Sequence, residues 1–162
     1  DNNQVKKDAI YNSFWENKGL YTKNIQELLN KKSIDAIIIA TPIKTHFSLS
    51  YLVLKSNKHV FIEKTISENS KTGEKLITFA KEKKLNIFVG HIFLHHPILK
   101  KLKEIHKRES ITYLKMNWMR LDSFNEDILL ELVSHFLSIT IELLGTPKSI
   151  KVLNWEKKNF SM

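Results

Sequence analysis

A hydroxyl, an imidazole, a carboxylate and an amine stand at two equivalent places in this sequence. Thr41-Pro42-Ile43-Lys44-Thr45-His46 follows directly on the apolar run Ala36-Ile37-Ile38-Ile39-Ala40. Glu63-Lys64 closes a second run, His59-Val60-Phe61-Ile62. If both runs are parallel strands, all four groups reach one rim, because ligands of open α/β sheets sit beyond the carboxyl ends of the strands. A second constellation lies further on. Glu131, His135, Ser138 and Glu142 fall at offsets of four, three and four within the otherwise apolar stretch 127–144, so a helix would line them up in one stripe. Glu131 could then accept a hydrogen bond from a ring nitrogen of His135, fixing its tautomer and raising its basicity. On helix geometry alone the same spacing describes a narrow solvent-facing stripe. A third group, His91, His95 and His96, suggests a metal. His95 and His96 are adjacent, however, and point apart in any regular structure, so no metal is expected.

These groups need elements to place them. Residues 35–64 read as strand, helix, strand. Residues 46–55 form the helix, carrying Phe47, Leu49, Ser50, Leu52, Val53 and Leu54, and such a crossover is right-handed. The unbroken apolar runs suit strands buried on both faces. A buried βαβ unit without any chemistry fits the pattern equally well. Helix signals return over residues 69–84, with Leu76, Ile77, Phe79 and Ala80 inward, and residues 85–89 make a third strand that delivers Gly90-His91 to the rim of Lys64. Residues 25–30 read as a short helix, and residues 5–17 as a longer one with Ile10 and Phe14 on one face.

The pattern changes after Leu94. Pro97 suits the first position of a helix, with Leu99, Leu102 and Ile105 behind it. From Ser110 the apolar residues alternate, and residues 113–120 are expected to be a strand of a half-exposed, mainly antiparallel sheet. Arg120 at its end is either an exposed cation or a contact for an anionic group. Residues 127–144 read as a helix stopped by Gly145 and Pro147, and residues 149–155 as one more strand. The expected fold class is α/β, an incomplete Rossmann-type parallel sheet followed by part of an α+β domain with a mainly antiparallel sheet. The boundary is placed so that residues 1–94 form the first domain and residues 95–162 the second.

Composition excludes some functions. The 162 residues contain no cysteine, so neither disulfide nor thiolate metal site exists. No apolar run approaches a membrane span, and a soluble cytoplasmic protein is expected. The formal charge of +9 raises the question of nucleic acid. The cations are spread along helices and turns and alternate with glutamate, which reads as solvated basic surface rather than a nucleic-acid site. The densest patch runs from Lys100 to Arg108.

Taken together, Ala40-Thr41-Pro42, His46, His59-Val60-Phe61-Ile62-Glu63-Lys64, Val89-Gly90-His91, Pro97, Glu131, His135 and Leu143-Leu144-Gly145 resemble the glucose–fructose oxidoreductase and inositol dehydrogenase family, Gfo/Idh/MocA. The resemblance covers nearly the whole chain. It implies an NAD(P)-dependent oxidoreductase moving a hydride to or from a sugar, cyclitol or sugar-nucleotide carbon. It implies Lys64 as the amine that orients substrate and polarises its oxygen, His135 as the base, and Glu131 as the carboxylate partner of His135. Asp1, Thr41, Pro42, His46, Glu63, Lys64 and His91 would contact NAD or NADP. Lys64, Arg120 and His135 would contact substrate. Copies would associate through the sheet of the second domain. Asp1 falls where the family's ribose-binding acid stands, and it also suits a helix N-terminus by charge alone. Departures are visible. Thr65 stands where the family has proline, Glu131 where it has aspartate, and Ser138 where an acid is common. The four glycines, Gly19, Gly73, Gly90 and Gly145, are isolated, so the glycine-rich turn that holds a dinucleotide pyrophosphate is missing. The expectation is a copy cut short at both ends, or a non-catalytic remnant of the same fold that has lost its cofactor affinity.

Overall fold

The computed structural model describes residues 22–117 and 132–151. Its centre is a three-stranded parallel sheet of Rossmann type, built from β1 (Ala36–Ile39), β2 (His59–Glu63) and β3 (Ile87–Gly90), in that order across the sheet. Ile37 pairs with Val60, and Val60 with Ile87, so the strands run side by side without a shift in register. A short helix, α1 (Ile25–Asn30), precedes β1 and is capped by the Asn24 side chain, which accepts from the Gln26 amide at 3.0 Å. Between β1 and β2 come a 3-10 turn, Ile43–Thr45, and α2 (His46–Lys55). Between β2 and β3 lies α3 (Ser70–Glu82), where Asn69 caps the Thr72 amide at 3.0 Å.

One face of the sheet builds the core. Ile39, Val60 and Ile62 meet Leu29 of α1, Val53 and Leu54 of α2, and Leu76 and Ala80 of α3. Alternation along the strands turns Ile38, Phe61 and Phe88 to the opposite face. There the expectation of double burial fails: Ile38 is 71% exposed and Phe88 48% exposed. All the crossover helices of the described residues lie on the Ile39 side. An apolar run tells how a strand could be covered on both faces, not whether a second layer is there to do so.

After β3 the chain makes a 3-10 turn, Ile92–His95, and enters α4 (Pro97–Arg108). Pro97 opens this helix as expected, and the ring of His96 accepts from the Ile98 amide at 3.2 Å. The last helix, α5 (Ser134–Leu144), packs against α4 and the preceding turn, and ends at Gly145 with φ of +82°. Lys103 of α4 and Glu142 of α5 form an ion pair between the two helices.

The expected antiparallel strand is not found in its described part: residues 113–117 have no regular secondary structure, and residues 118–120 lie outside the described residues. A strand exists only when its backbone groups find a partner, and among the described residues none lies alongside. Residues 149–151 are likewise irregular. Residues 5–17 fall outside the described residues, as does the first part of the stretch 127–144.

Candidate active site

The sheet delivers its polar groups to one edge, as the order of elements requires. β1 ends at Ile39 and the chain passes through Thr41-Pro42, both exposed. The Thr45 hydroxyl donates to the Pro42 carbonyl at 2.7 Å and lies 2.7 Å from the Thr41 hydroxyl. A hydroxyl has one proton, so Thr41 is the donor of that pair, and its oxygen keeps acceptor capacity on the surface of the rim. β2 ends at Glu63, whose register partner is Gly90. Glu63 and Lys64 are half-buried. A Cβ at Gly90 would stand 3.2 Å from two atoms of the Phe61 ring and 3.3 Å from a carboxylate oxygen of Glu63. The absent side chain therefore lets the Glu63 carboxylate lie against β3. The peptide joining Lys64 to Thr65 is cis.

His46 occupies a different place from the one expected. It is 1% exposed, beneath the rim rather than on it. Its Nδ1 lies 2.7 Å from the Thr65 carbonyl and its Nε2 2.7 Å from the Thr41 carbonyl. With both nitrogens engaged on backbone and the ring sealed from solvent, His46 has no atom left for direct contact with a ligand.

The three histidines after β3 divide their work. His91 is half-buried, its Nδ1 meets no hydrogen-bond partner among the described residues, and desolvation holds its pKa below the usual 6.5. His95 is exposed and stacks on Phe88 with ring centroids 6.2 Å apart. His96 caps α4. Among the described residues no group of His, Cys, Asp and Glu could hold a metal. His91, His95, Phe88 and Glu142 border a cavity of about 550 Å³ beside β3.

His135 is 6% exposed and meets Phe93 edge-on, with ring centroids 4.8 Å apart. The polar stripe of α5 thus turns toward neighbouring elements at two points, His135 on Phe93 and Glu142 on Lys103. Ser138 is turned to its own helix, donating to the His135 carbonyl at 2.9 Å. Lys64 follows the partner of Gly90, and His135 sits on the residue two past His91. Asp1, Arg120 and Glu131 lie outside the described residues.

Two structural residues escaped the sequence reading. Lys58 is 5% exposed, and its ammonium donates to the carbonyls of Lys31 at 2.8 Å and Ile34 at 2.7 Å, tying β2 to the loop after α1. The ring of His59 accepts from the Asn86 amide at 2.9 Å. The only available signal was a lysine and a histidine placed at the mouth of an apolar strand.

Comparison with known proteins completes the description. A family model described as an oxidoreductase family with an NAD-binding Rossmann fold, GFO_IDH_MocA, matches residues 1–91, more than half of the chain. The UDP-N-acetylglucosamine 3-dehydrogenase of Acidithiobacillus ferrooxidans is 29% identical over 115 residues, which cover 69% of this chain and 36% of that protein. The NADP-dependent scyllo-inositol 2-dehydrogenase of Bacillus subtilis is 27% identical over 143 residues, covering 78% of this chain and 39% of that protein. The chain therefore spans little more than a third of the length of these relatives. A crystal structure of a candidate oxidoreductase from Bacteroides fragilis superposes with a TM-score of 0.75 at 24% identity, over 92% of this chain and 46% of that one. At that identity the likeness concerns the fold.

Proposed function

This chain belongs to the Gfo/Idh/MocA oxidoreductase family, and from that premise we propose that it is part of an NAD(P)-dependent enzyme. The reaction is hydride transfer at a hydroxyl or carbonyl carbon of a sugar, cyclitol or sugar nucleotide. The observation that carries the reading is the rim itself. Thr41, Pro42, Glu63 and Lys64 gather at the carboxyl ends of adjacent parallel strands, where such sheets bind nucleotides.

The residues present fit one half of a dinucleotide. The Thr41 oxygen, the Glu63 carboxylate against Gly90, and His91 with its bare Nδ1 offer polar contacts for the ribose and nicotinamide. For the pyrophosphate the 162 residues contain no glycine-rich turn, and that turn with its helix N-terminus is the usual cradle. When bound, the cofactor supplies or accepts the hydride. The chain's own task is to hold the reacting carbons and manage one proton. Lys64 is assigned to orienting substrate and polarising its oxygen. His135 takes the hydroxyl proton in the oxidative direction, with Glu131 as the partner that sets its tautomer. Arg120 is assigned to an anionic part of the substrate, and Asp1 to the ribose. His46 supports the cofactor loop from beneath. Residues 1–94 are assigned to the dinucleotide-binding domain. Residues 95–162 are assigned to a second α+β unit whose sheet is mainly antiparallel and joins copies of the protein.

The competing reading is a non-catalytic remnant that keeps the fold without cofactor affinity. Calorimetric titration separates the two. The 162-residue chain is expected to bind NADH and NADPH weakly or undetectably. Placing a relative's first βα unit, with its glycine-rich turn, in frame ahead of Asp1 is expected to restore micromolar binding and turnover of a keto-sugar nucleotide. Turnover should then be lost in Lys64→Met. Failure to restore binding would favour the remnant.

A further inference from the structure

We propose that the basic face of α4 seats a diphosphate, so that the substrate is a sugar joined to a nucleoside diphosphate rather than a free sugar or cyclitol. Two hollows meet beside the chain that leaves β3. One is the cavity of about 550 Å³ bordered by Phe88, His91 and Glu142. The other, of about 430 Å³, is bordered by His95, His96, Lys100, Lys103, Glu104 and Lys107. Leu94 and His95 border both, so the hollows adjoin. His96, Lys100, Lys103 and Lys107 follow one another at offsets of four, three and four, which makes them one stripe of the helix. At the helical rise that stripe is about 16 Å long.

The charges sort the two hollows. Glu104 is held by Lys101 at 3.2 Å, and Glu142 by Lys103. Lys100 and Lys107 are exposed and meet no carboxylate among the described residues. His96 adds a donor, since its Nδ1 accepts from the Ile98 amide at 3.2 Å and the ring proton is left to Nε2. The second hollow thus presents ammoniums and an N–H, and its one carboxylate is already engaged. Lysine binds phosphate as a point charge, and a neutral sugar would leave these ammoniums unused. The first hollow is apolar and aromatic apart from Glu142, which Lys103 neutralises, so it suits an uncharged ring. It also lies nearer the rim in the chain: His91 follows Gly90, the partner of Glu63. A ligand laid from the rim along α4 therefore meets an uncharged hollow first and a basic one second, the order of a sugar and its diphosphate. The cofactor's own pyrophosphate belongs to a glycine-rich turn and its helix, not to the helix after β3. The choice of substrate class rests on the function proposed above. The anion site does not, so the two can fail separately.

The test is a titration of the 15N-labelled 162-residue chain, followed in amide correlation spectra at about 0.15 M salt, where fields beyond about 8 Å are screened. The probes, added separately, are UDP-glucose, glucose, NADH and a short DNA duplex. UDP-glucose is expected to shift the signals of residues 94–107 to saturation, and glucose at the same concentration to leave them in place. In Lys100→Gln/Lys107→Gln the affinity should fall roughly tenfold, through the loss of two exposed ion contacts. The charge-matched Lys71→Gln/Lys75→Gln, on exposed positions of α3, should bind as the natural chain does. Equal losses in both variants, shifts centred elsewhere, or DNA or NADH shifting these signals as tightly as UDP-glucose would overturn the proposal. If a variant does not fold, the shift map of the natural chain decides. In the chain carrying a restored first βα unit, UDP-glucose binding without any turnover would leave the anion site standing and sink the oxidoreductase reading. Turnover of a free sugar or cyclitol with no UDP-glucose shift would do the reverse.

Discussion

His91, Gly90 and Ser50 show how single groups on this scaffold respond to change. Burial lowers the pKa of His91 below 6.5, so below that pH the unfolded chain binds this proton and the folded one resists it. Stability from this residue is full above pH 6.5. It falls as pH drops through the window beneath, and levels off below the folded value. In urea titrations from neutral to acid pH, the advantage of the natural chain over His91→Asn should shrink across that window; a constant difference would count against it. A Cβ at Gly90 would sit tightly against the Phe61 ring and the Glu63 carboxylate, which would have to give by a few tenths of an ångström. Gly90→Ala should cost about 1–2 kcal/mol in chemical denaturation and displace the Glu63 carboxylate. Ser50 is fully buried in α2, and its hydroxyl has no hydrogen-bond partner among the described residues. Ser50→Ala should be neutral or stabilising by up to about 1 kcal/mol, and a clear loss would reveal a partner. At this scale the sequence told which residues stand near strand ends, because that is a matter of counting. It did not tell which way His46 turns. The direction depends on where the Thr65 carbonyl lies, nineteen residues on.

Helices and strands here are joined by local devices that can be tested in the same way. Lys58 ties β2 to the carbonyls of Lys31 and Ile34. Lys58→Met would remove the ammonium from both carbonyls, leaving Lys31 only the Ile34 amide as donor, at about 1–3 kcal/mol. Hydrogen exchange should accelerate in α1 well before β2; uniform acceleration would mean that the tie is not local. Both crossover helices hand over to their strands through a residue with positive φ, Asn57 at 58° after α2 and Lys84 at 55° after α3. Asparagine tolerates that conformation and lysine does so less well. Lys84→Gly should therefore raise stability by about 0.5–1 kcal/mol in thermal or urea unfolding. The elements up to α4 were legible because each carries its own signal: a cap at Asn69, a proline at 97, an apolar run at 36–39. The described part of the strand expected at 113–120, residues 113–117, was not, since alternation is a property of the segment and pairing is a property of its neighbour.

For the molecule as described, the sheet has one packed face and one open face, and the open one carries Ile38, Phe61 and Phe88. Apolar surface of this kind favours association. Ile38→Glu should leave the unfolding midpoint nearly unchanged and lower light scattering in concentrated samples; a large loss of stability would show that this face is covered in solution. The three strands lie in space in the order in which they occur in the chain. No hairpin joins them, and each joint waits for a helix to close. β1 and β2 can meet once α2 has formed, before β3 has been synthesised. β3 then adds to an edge already in place. Among these three described strands, therefore, none has to be inserted between two that are already paired.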